Sequence, residues 1–530
     1  MDKIENEYDV IVYGGTPAGV IASIAASRNY AKVLLIEQTR HVGGLNTSGI
    51  NTGENQHMVD KAITGMAREF YKKLGEEYSE EYFQTFKLGR SLSFKKGDPA
   101  FFFESHDAEK VFNDMLREAG VDLLLDKYLT DVKTSNNTID EIVLDDGMKL
   151  KGKIYIDCTY EGDLMARSGV SYTYGREGID VYNESYAGVR FMDDTLESRT
   201  VDQNGQLLPY FTENENLVPG TGDQRVICYN FRPTMTKDPD NMRPVTRPEN
   251  YDSTRYQLLA DFLNKYPETE ITGLIGIYDR GSGKYEFNNR QHSTISLGIF
   301  GGNVDYPDSD YETRERIYQD HKDYTLGYLY FIGHDPRIPP KLKEQALSFG
   351  FAKDEFKDNL NFPYYLYVRE ARRMMGEFVF TQDDILKNRT KKDAVTLGSH
   401  WIDSHHVQRI AISDTSFTNE GRIWHVVTQP FELPYSIILP KREEIKNLLV
   451  PVCASLSHVA FCAYRLEATW MQMGQVAGTA AGLSLISKVD PHDLNIDELQ
   501  YQLRLEGMMI KNDDIGNYDD YADPEMWNWE

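Results

Sequence analysis

Apolar positions near the start of the chain come in blocks with glycine between them. Val10, Ile11 and Val12 form a short run that stops at Gly14 and Gly15. An Ala-rich, helix-compatible stretch follows from about Pro17 to Arg28, and a second apolar run, Val33–Ile36, closes on Glu37. Short continuous apolar runs bounded by glycine predict buried strands, so the segment reads as strand, tight turn, helix, strand. Residues 59–75 space Val59, Ile63, Met66, Phe70 and Leu74 at helical intervals. Residues 107–119 repeat that signal, with Val111, Met115 and Leu116 on one face and Gly120 as a stop. Between 121 and 156 the period drops to two, with Asn136, Asn137 and Asp146, Gly147 as turn signals. This predicts a β-meander ending in a strand at 154–157. From about 171 to 430 Tyr, Asn and Asp are frequent, and helical periodicity surfaces only in patches such as 311–331 and 364–376. Regular patterning then returns: 447–455 predicts a strand, 465–487 a long helix, and 513–530 an acidic tail carrying Trp527 and Trp529.

A chain of 530 residues exceeds one ordinary hydrophobic core. The compositional shift suggests a first domain split around an insert: 1–170, then a substrate or cap domain at 171–430, then 431–530 returning to the first domain. The net charge of -26 repels nucleic acid and anionic membrane surfaces, so neither is expected as a partner. No run of about 20 apolar residues predicts a membrane span. As given, the chain reads as cytoplasmic, or periplasmic if a leader was removed. The four cysteines, Cys158, Cys228, Cys453 and Cys462, lack C-x-x-C spacing, which argues against a redox dithiol and a zinc ribbon. Small buried thiols are the expectation for Cys158 and Cys453. Oligomeric state is not legible.

A strand–glycine turn–helix–strand unit closing on an acid is the arrangement that binds a dinucleotide. Gly14 permits a turn too tight for a Cβ, and the helix N-terminus beyond Gly15, Thr16, Pro17 and Ala18 offers N–H groups and a positive dipole end to a pyrophosphate. Gly19 lets the helix lie close to the sheet, and Glu37 can accept from ribose hydroxyls. Thr16 replaces the middle glycine of G-x-G-x-x-G; its Cβ crowds the approach, while its hydroxyl offers a hydrogen bond. After Glu37 and Gln38 comes a Gly/Ser/Thr loop, Gly43, Gly44, Leu45, Asn46, Thr47, Ser48 and Gly49, whose backbone and hydroxyls suit an extended cofactor. It resembles the corresponding segment of FAD enzymes with the glutathione reductase type of fold.

The resemblance extends along nearly the whole chain. YGGTPAGV, VGGLNTSG, TYEGDLMARSGVSYTYGRE, YLYVREARRMMGEF, IDSHHVQR, LLVPVCASLSHVAF and RLEATWMQMGQVAGTAA are together similar to a bacterial family of FAD-dependent oxidoreductases in the fumarate reductase and glutathione reductase fold group. Thr16 is normal in that family. The resemblance implies an α/β fold: a Rossmann-like FAD-binding domain, βαβ plus β-meander, with a large inserted α+β substrate or cap domain. It implies noncovalent FAD. It also places Cys158 and Thr159 in the turn beside the cofactor and aims the final helix, from Glu467 past Gly474, at the flavin. Substrate is not implied.

In this fold group substrate meets flavin between the last strand and the final helix, where Ser457, His458 and Arg465 fall. His458 suits proton transfer near neutral pH, and Arg465 suits an anion or a developing oxyanion. The alternative is a hydrogen-bonded structural His and an Arg465–Glu467 pair. From the insert, His405 and Arg369 are the next catalytic candidates. The pair His405–His406 lacks a further ligand at metal spacing, so no metal is expected. Arg369 and Arg373, read as i,i+4 on a helix with Tyr365, fit a salt-bridged surface equally well. The expected function is oxidation or reduction of a small polar substrate, a sugar derivative or carboxylate, with a separate and unidentified electron acceptor. A net non-redox isomerisation or elimination, or a catalytically silent flavin protein, is the alternative.

Overall fold

The computed structural model describes residues 4–516 apart from 54–59, 86, 89–91, 94, 214–216 and 292. Val59 and the tail tryptophans Trp527 and Trp529 lie outside the described residues. The opening block folds as strand β1 (Glu7–Tyr13), helix α1 (Pro17–Arg28) and strand β2 (Val33–Ile36). Its apolar runs are continuous because both faces of the sheet are covered. Val10, Val12, Val33 and Leu35 enter one core, while Ile11, Tyr13, Leu34 and Ile36 enter the other. Helices α2 (Gly65–Glu77) and α3 (Ser105–Ala119) follow, and Gly120 ends α3 in the left-handed conformation at φ 69°.

Strand β3 (Asp122–Leu124) adds in parallel to β2, and the meander β4 (Leu129–Ser135), β5 (Thr138–Leu144), β6 (Lys149–Asp157) closes on the other side. Asn136 and Asn137 both adopt positive φ in a two-residue hairpin turn, as the right-handed strand twist favours. The order is β3-β2-β1-β6-β5-β4, with β1 parallel to both β2 and β6. Tyr13 pairs with Ile36 on one side and Asp157 on the other. The ends of three parallel strands therefore bring Gly14, Glu37 and Cys158 to one edge, the usual place for a ligand in such a sheet.

The C-terminal block returns to this sheet. Strand β7 (Leu448–Leu449) pairs in parallel with β6, Leu449 opposite Ile156. The expected strand over 447–455 is limited to these two residues; Pro451 has no N–H to continue a ladder. The segment around His458, between the last strand and the final helix, contains a helix, α5 (His458–Tyr464), followed at once by α6 (Glu467–Ser487). Helix α6 lies along α1 through Gly474, Gly478 and Gly482. A Cβ on Gly474 would stand 2.3 Å from the Ala18 carbonyl oxygen, and one on Gly478 would stand 2.1 Å from that of Ala22. Gly478→Val is expected to cost about 1–3 kcal/mol through forced separation of the helices. A denaturant midpoint equal to wild type would show that the two helices tolerate the added volume.

Between the two blocks, residues 234–352 contribute an antiparallel five-stranded sheet. Helix α4 (Tyr311–His334), N-capped by Asp310, which accepts from Thr313 N–H at 2.9 Å, packs against the helix Pro340–Leu347. The helix expected at 364–376 does not form. Arg373–Met374 is a short strand against Tyr172–Thr173, and Tyr367 N–H donates to Asn230 O at 3.1 Å. Arg369 and Arg373 are both fully buried, so the salt-bridged surface reading is also corrected. Tertiary pairing with Tyr172–Thr173 and Asn230 overrides a weak helical preference. No described helix is long and apolar enough to cross a membrane.

Candidate active site

At the edge formed by β1, β2 and β6, two backbone turns touch. Gly14 has φ +103°, and a Cβ there would lie 2.6 Å from Thr159 N. One on Gly19 would lie 1.8 Å from Gly14 O, so the first turn of α1 is pressed onto its own approach. Thr16 is the N-cap of α1: its Oγ1 accepts from Gly19 N–H at 3.3 Å and donates to Cys158 O at 2.8 Å. That hydroxyl is thus committed to tying helix and β6 turn together, with Pro17 and Ala18 following in the first helical turn. Asp157 builds the facing turn by accepting from Thr159 N–H and hydroxyl; burial pushes its carboxyl up to about 6. Cys158 and Cys453 are buried free thiols, pushed up by burial, as expected from their apolar settings.

Glu37 accepts from Gly15 N–H at 2.6 Å and Thr39 N–H at 2.8 Å, and also from the hydroxyl of Tyr365. Burial raises its carboxyl above the usual range against these hydrogen bonds. A carboxylate that takes a hydroxyl from a residue 328 positions away is an acceptor of the kind a ribose needs. Gln38 instead turns its amide to Tyr13 Oη at 2.9 Å. Gly43 N–H donates to Gly15 O, and Gly44, at φ +47°, lies so near Tyr160 that a Cβ would meet its hydroxyl at 2.4 Å. Leu45 N–H donates to that hydroxyl at 3.0 Å, and it donates onward to Glu467 Oε1 at 2.7 Å. Thr47 is bonded to Val42 O, and Ser48 Oγ accepts from Tyr365 N–H. Asn46 Oδ1, Thr469 Oγ1 and Trp470 Nε1, the last two on the first turn of α6, are buried with no hydrogen-bond partner.

A second cluster surrounds α5. Ser457 caps it, accepting from Ala460 N–H at 3.1 Å and donating to Glu184 Oε1 at 2.6 Å. His458 N–H donates to Glu177 Oε2 at 2.9 Å. Its Nδ1 stands 2.8 and 3.0 Å from the two carboxylate oxygens of Glu370. A carboxylate on Nδ1 selects the Nδ1–H tautomer and leaves the lone pair on Nε2. Nε2 is buried and has no hydrogen-bond partner. Arg373 bridges Glu370 and Glu177; burial opposes ionisation of Glu177, yet the guanidinium holds its carboxyl below the usual range.

Arg465 ends α5. Its Nη1 donates to Tyr367 Oη at 3.0 Å and its Nη2 to Asp403 O at 2.9 Å. The Arg369 guanidinium lies over the Tyr367 ring, 4.3 Å from its centroid. Burial, with the nearby charges of Arg465 and Arg232, pushes Arg369 down to about 10. His405 Nδ1 sits 3.1 Å from Asn289 Nδ2, while Asn289 Oδ1 accepts from Gly298 N–H. Burial, then Arg369 and Arg465, hold His405 well below its ordinary value. His406 turns away to Asp193, so the two adjacent imidazoles do not converge.

A profile of the family described as FAD dependent oxidoreductase matches residues 9–503. The chain belongs to the FAD dependent oxidoreductase family. It is similar to parts of several solved structures. With thioredoxin reductase of T. acidophilum it shares 16% identity over 29% of this chain and 35% of that one, TM-score 0.18. For L-proline dehydrogenase from P. horikoshii the values are 16%, 38%, 64% and 0.25. For glycine oxidase from Geobacillus kaustophilus they are 14%, 33%, 62% and 0.24. The chain spans about a third to two thirds of the length of these structures.

As a FAD dependent oxidoreductase the protein uses FAD, and its residues fit that group. The Gly14–Gly19 approach is a cradle that a Cβ would fill, Glu37 already accepts a hydroxyl, and unpartnered polar atoms lead toward α6. Of the cofactor residues read from sequence, Gly474 turns its open face to Ala18 in the first turn of α1. Of the catalytic candidates, Arg369 and Arg465 meet at Tyr367, His405 lies within reach of both their charges, and His458 and Arg465 stand at opposite ends of α5. Sequence reading missed Tyr160, Tyr365 and Glu370. The REARR run held the one available signal, an acid among arginines.

Proposed function

We propose that this FAD-dependent oxidoreductase is a dehydrogenase or reductase for a small polar substrate, with His458 as its acid–base group. The observation that carries the reading is His458 itself, oriented through Nδ1 by Glu370 and presenting a buried, unpartnered Nε2 at the head of α5. Bound FAD supplies the hydride or electron-pair chemistry at its ring system. The 14–19 turn and the N-terminus of α1 hold the pyrophosphate, Glu37 holds the adenosine ribose, and the 43–48 loop lines the path between. His458 Nε2 takes or returns the substrate proton, and Glu370 balances the charge that the imidazole then carries. Burial of both groups keeps water from competing for that proton. In this reading, residues 1–170 and 431–530 form one discontinuous FAD-binding unit, and 171–430 is the insert that supplies Glu370, Arg369 and His405. Electrons leave to a separate acceptor.

The test is an anaerobic screen of the purified yellow protein with sugars and organic acids, followed by addition of an artificial acceptor. Bleaching by a substrate, with net product formed once the acceptor is added, is the expected result. Bleaching that recovers with no acceptor would mark a non-redox reaction instead. A flavin inert to the whole panel, before and after chemical reduction, would mark a protein without turnover.

A further inference from the structure

We propose that the substrate carries a carboxylate and that Arg369 is its anchor, with His405 and Arg465 as flanking donors. The inference rests on the reading above that this end of α5 is the substrate site. Several other buried arginines in the fold are matched to acids. Arg176 pairs with Asp223 and Glu420, Arg314 with Asp163, and Arg373 with Glu177 and Glu370. Arg369 is as deeply buried as any of them, with 0% exposure, yet no carboxylate lies within ion-pair reach of it among the described residues. An uncompensated buried charge is costly, and the neighbouring positive charges of Arg465 and Arg232 add to the cost.

Its remaining contacts orient the guanidinium without neutralising it. Nη1 donates to Cys228 O, Nη2 donates to the side chain of Asn230, and the Tyr367 ring covers one face. Nε is buried without an acceptor. Nε–H is thus a donor with no acceptor inside the protein, and a carboxylate is the anion that a guanidinium matches. Arg409 shows what a structural alternative looks like. It also lacks an acid, but the rings of Phe211, Phe300 and Phe417 enclose it, and its Nε–H is spent on Asn419. Arg369 has a single ring face and an unspent Nε–H. His405 adds a second donor: Nδ1 accepts from Asn289, so the neutral ring carries its proton on Nε2. In a chain of net charge -26, this concentration of buried positive charge is a local construction.

Titration calorimetry on the FAD-loaded protein tests the proposal without turnover. The probes are acetate, glycolate and succinate, each against its uncharged amide, at constant ionic strength. Saturable heat from at least one carboxylate, and none from its amide, is expected. Arg369→Met should weaken that binding about 30-fold or more, the usual scale for removing one partner of a buried charge pair. Arg369→Lys should retain part of it, and His405→Gln should weaken it less, all with wild-type FAD content. Equal heats from acids and amides in the wild-type protein would overturn the proposal whether or not any variant folds. So would unchanged carboxylate binding by either Arg369 variant. Loss of FAD from folded Arg369→Met would also overturn it, by making the cofactor the counter-ion. Carboxylate binding through Arg369 with a flavin that no compound reduces would sink the oxidoreductase reading and leave the anion site standing. Turnover of neutral sugars without carboxylate binding would do the reverse.

Discussion

Replacing His458 by Gln is expected to slow turnover by about 10²–10⁴-fold, the range for loss of a proton-transferring group, with FAD still bound and the fold intact. Glutamine is close in volume and can still face Glu370, so the Glu370–Arg373–Glu177 network keeps its geometry. What it lacks is a basic nitrogen where Nε2 stood. Glu370→Gln is the companion variant. It acts through His458, so kcat should fall by a smaller factor while KM holds, whereas a merely structural role would disturb both or lower the unfolding temperature. Arg465→Met should likewise keep FAD. Rates equal to wild type in both His458→Gln and Arg465→Met would return these side chains to the framework and leave His405 and Arg369 as the next candidates.

Glu37→Ala is expected to weaken FAD by about 1.5–3 kcal/mol, the scale of a hydrogen bond to a charged group. That corresponds to roughly 10- to 150-fold in dissociation constant. Equilibrium dialysis or flavin-fluorescence titration of the deflavinated protein reads it directly. Tyr365 makes the measurement more informative, because its hydroxyl occupies an acceptor site that a ribose would take. Tyr365→Phe removes a competitor, so affinity should hold or rise. A loss in Tyr365→Phe as large as that in Glu37→Ala would mean that the phenol positions the carboxylate. Unchanged FAD affinity in Glu37→Ala would remove Glu37 from the cofactor site altogether.

Local sequence was sufficient for much of the frame. The runs at 10–12 and 33–36, the glycines between them, the Asn136–Asn137 turn and the stop at Gly120 each depend on conformational preferences within a few residues. Such preferences act the same way wherever the segment sits. The places of Glu37 at the end of β2 and of His458 ahead of the final helix were legible for the same reason: position in the βαβ and strand–helix order decides them. Residues 364–376 were not legible. Their apolar spacing suits a helix, but burial on all sides and pairing with Tyr172–Thr173 won. Gly474 and Gly478 showed a small-residue face, yet only the fold decided that α1 fills it. The site's hydrogen-bonded pairs join residues far apart, Glu370 with His458 across 88 positions and Tyr365 with Glu37 across 328. Whether Arg369 meets an acid depends on which segments close around it. Sequence thus determined the elements and the glycine-rich edge of the sheet, whose energetics are local. Tertiary structure alone decided which titratable groups are paired with an opposite charge and which are not, because burial and charge compensation are sums over neighbours that only the folded chain assembles.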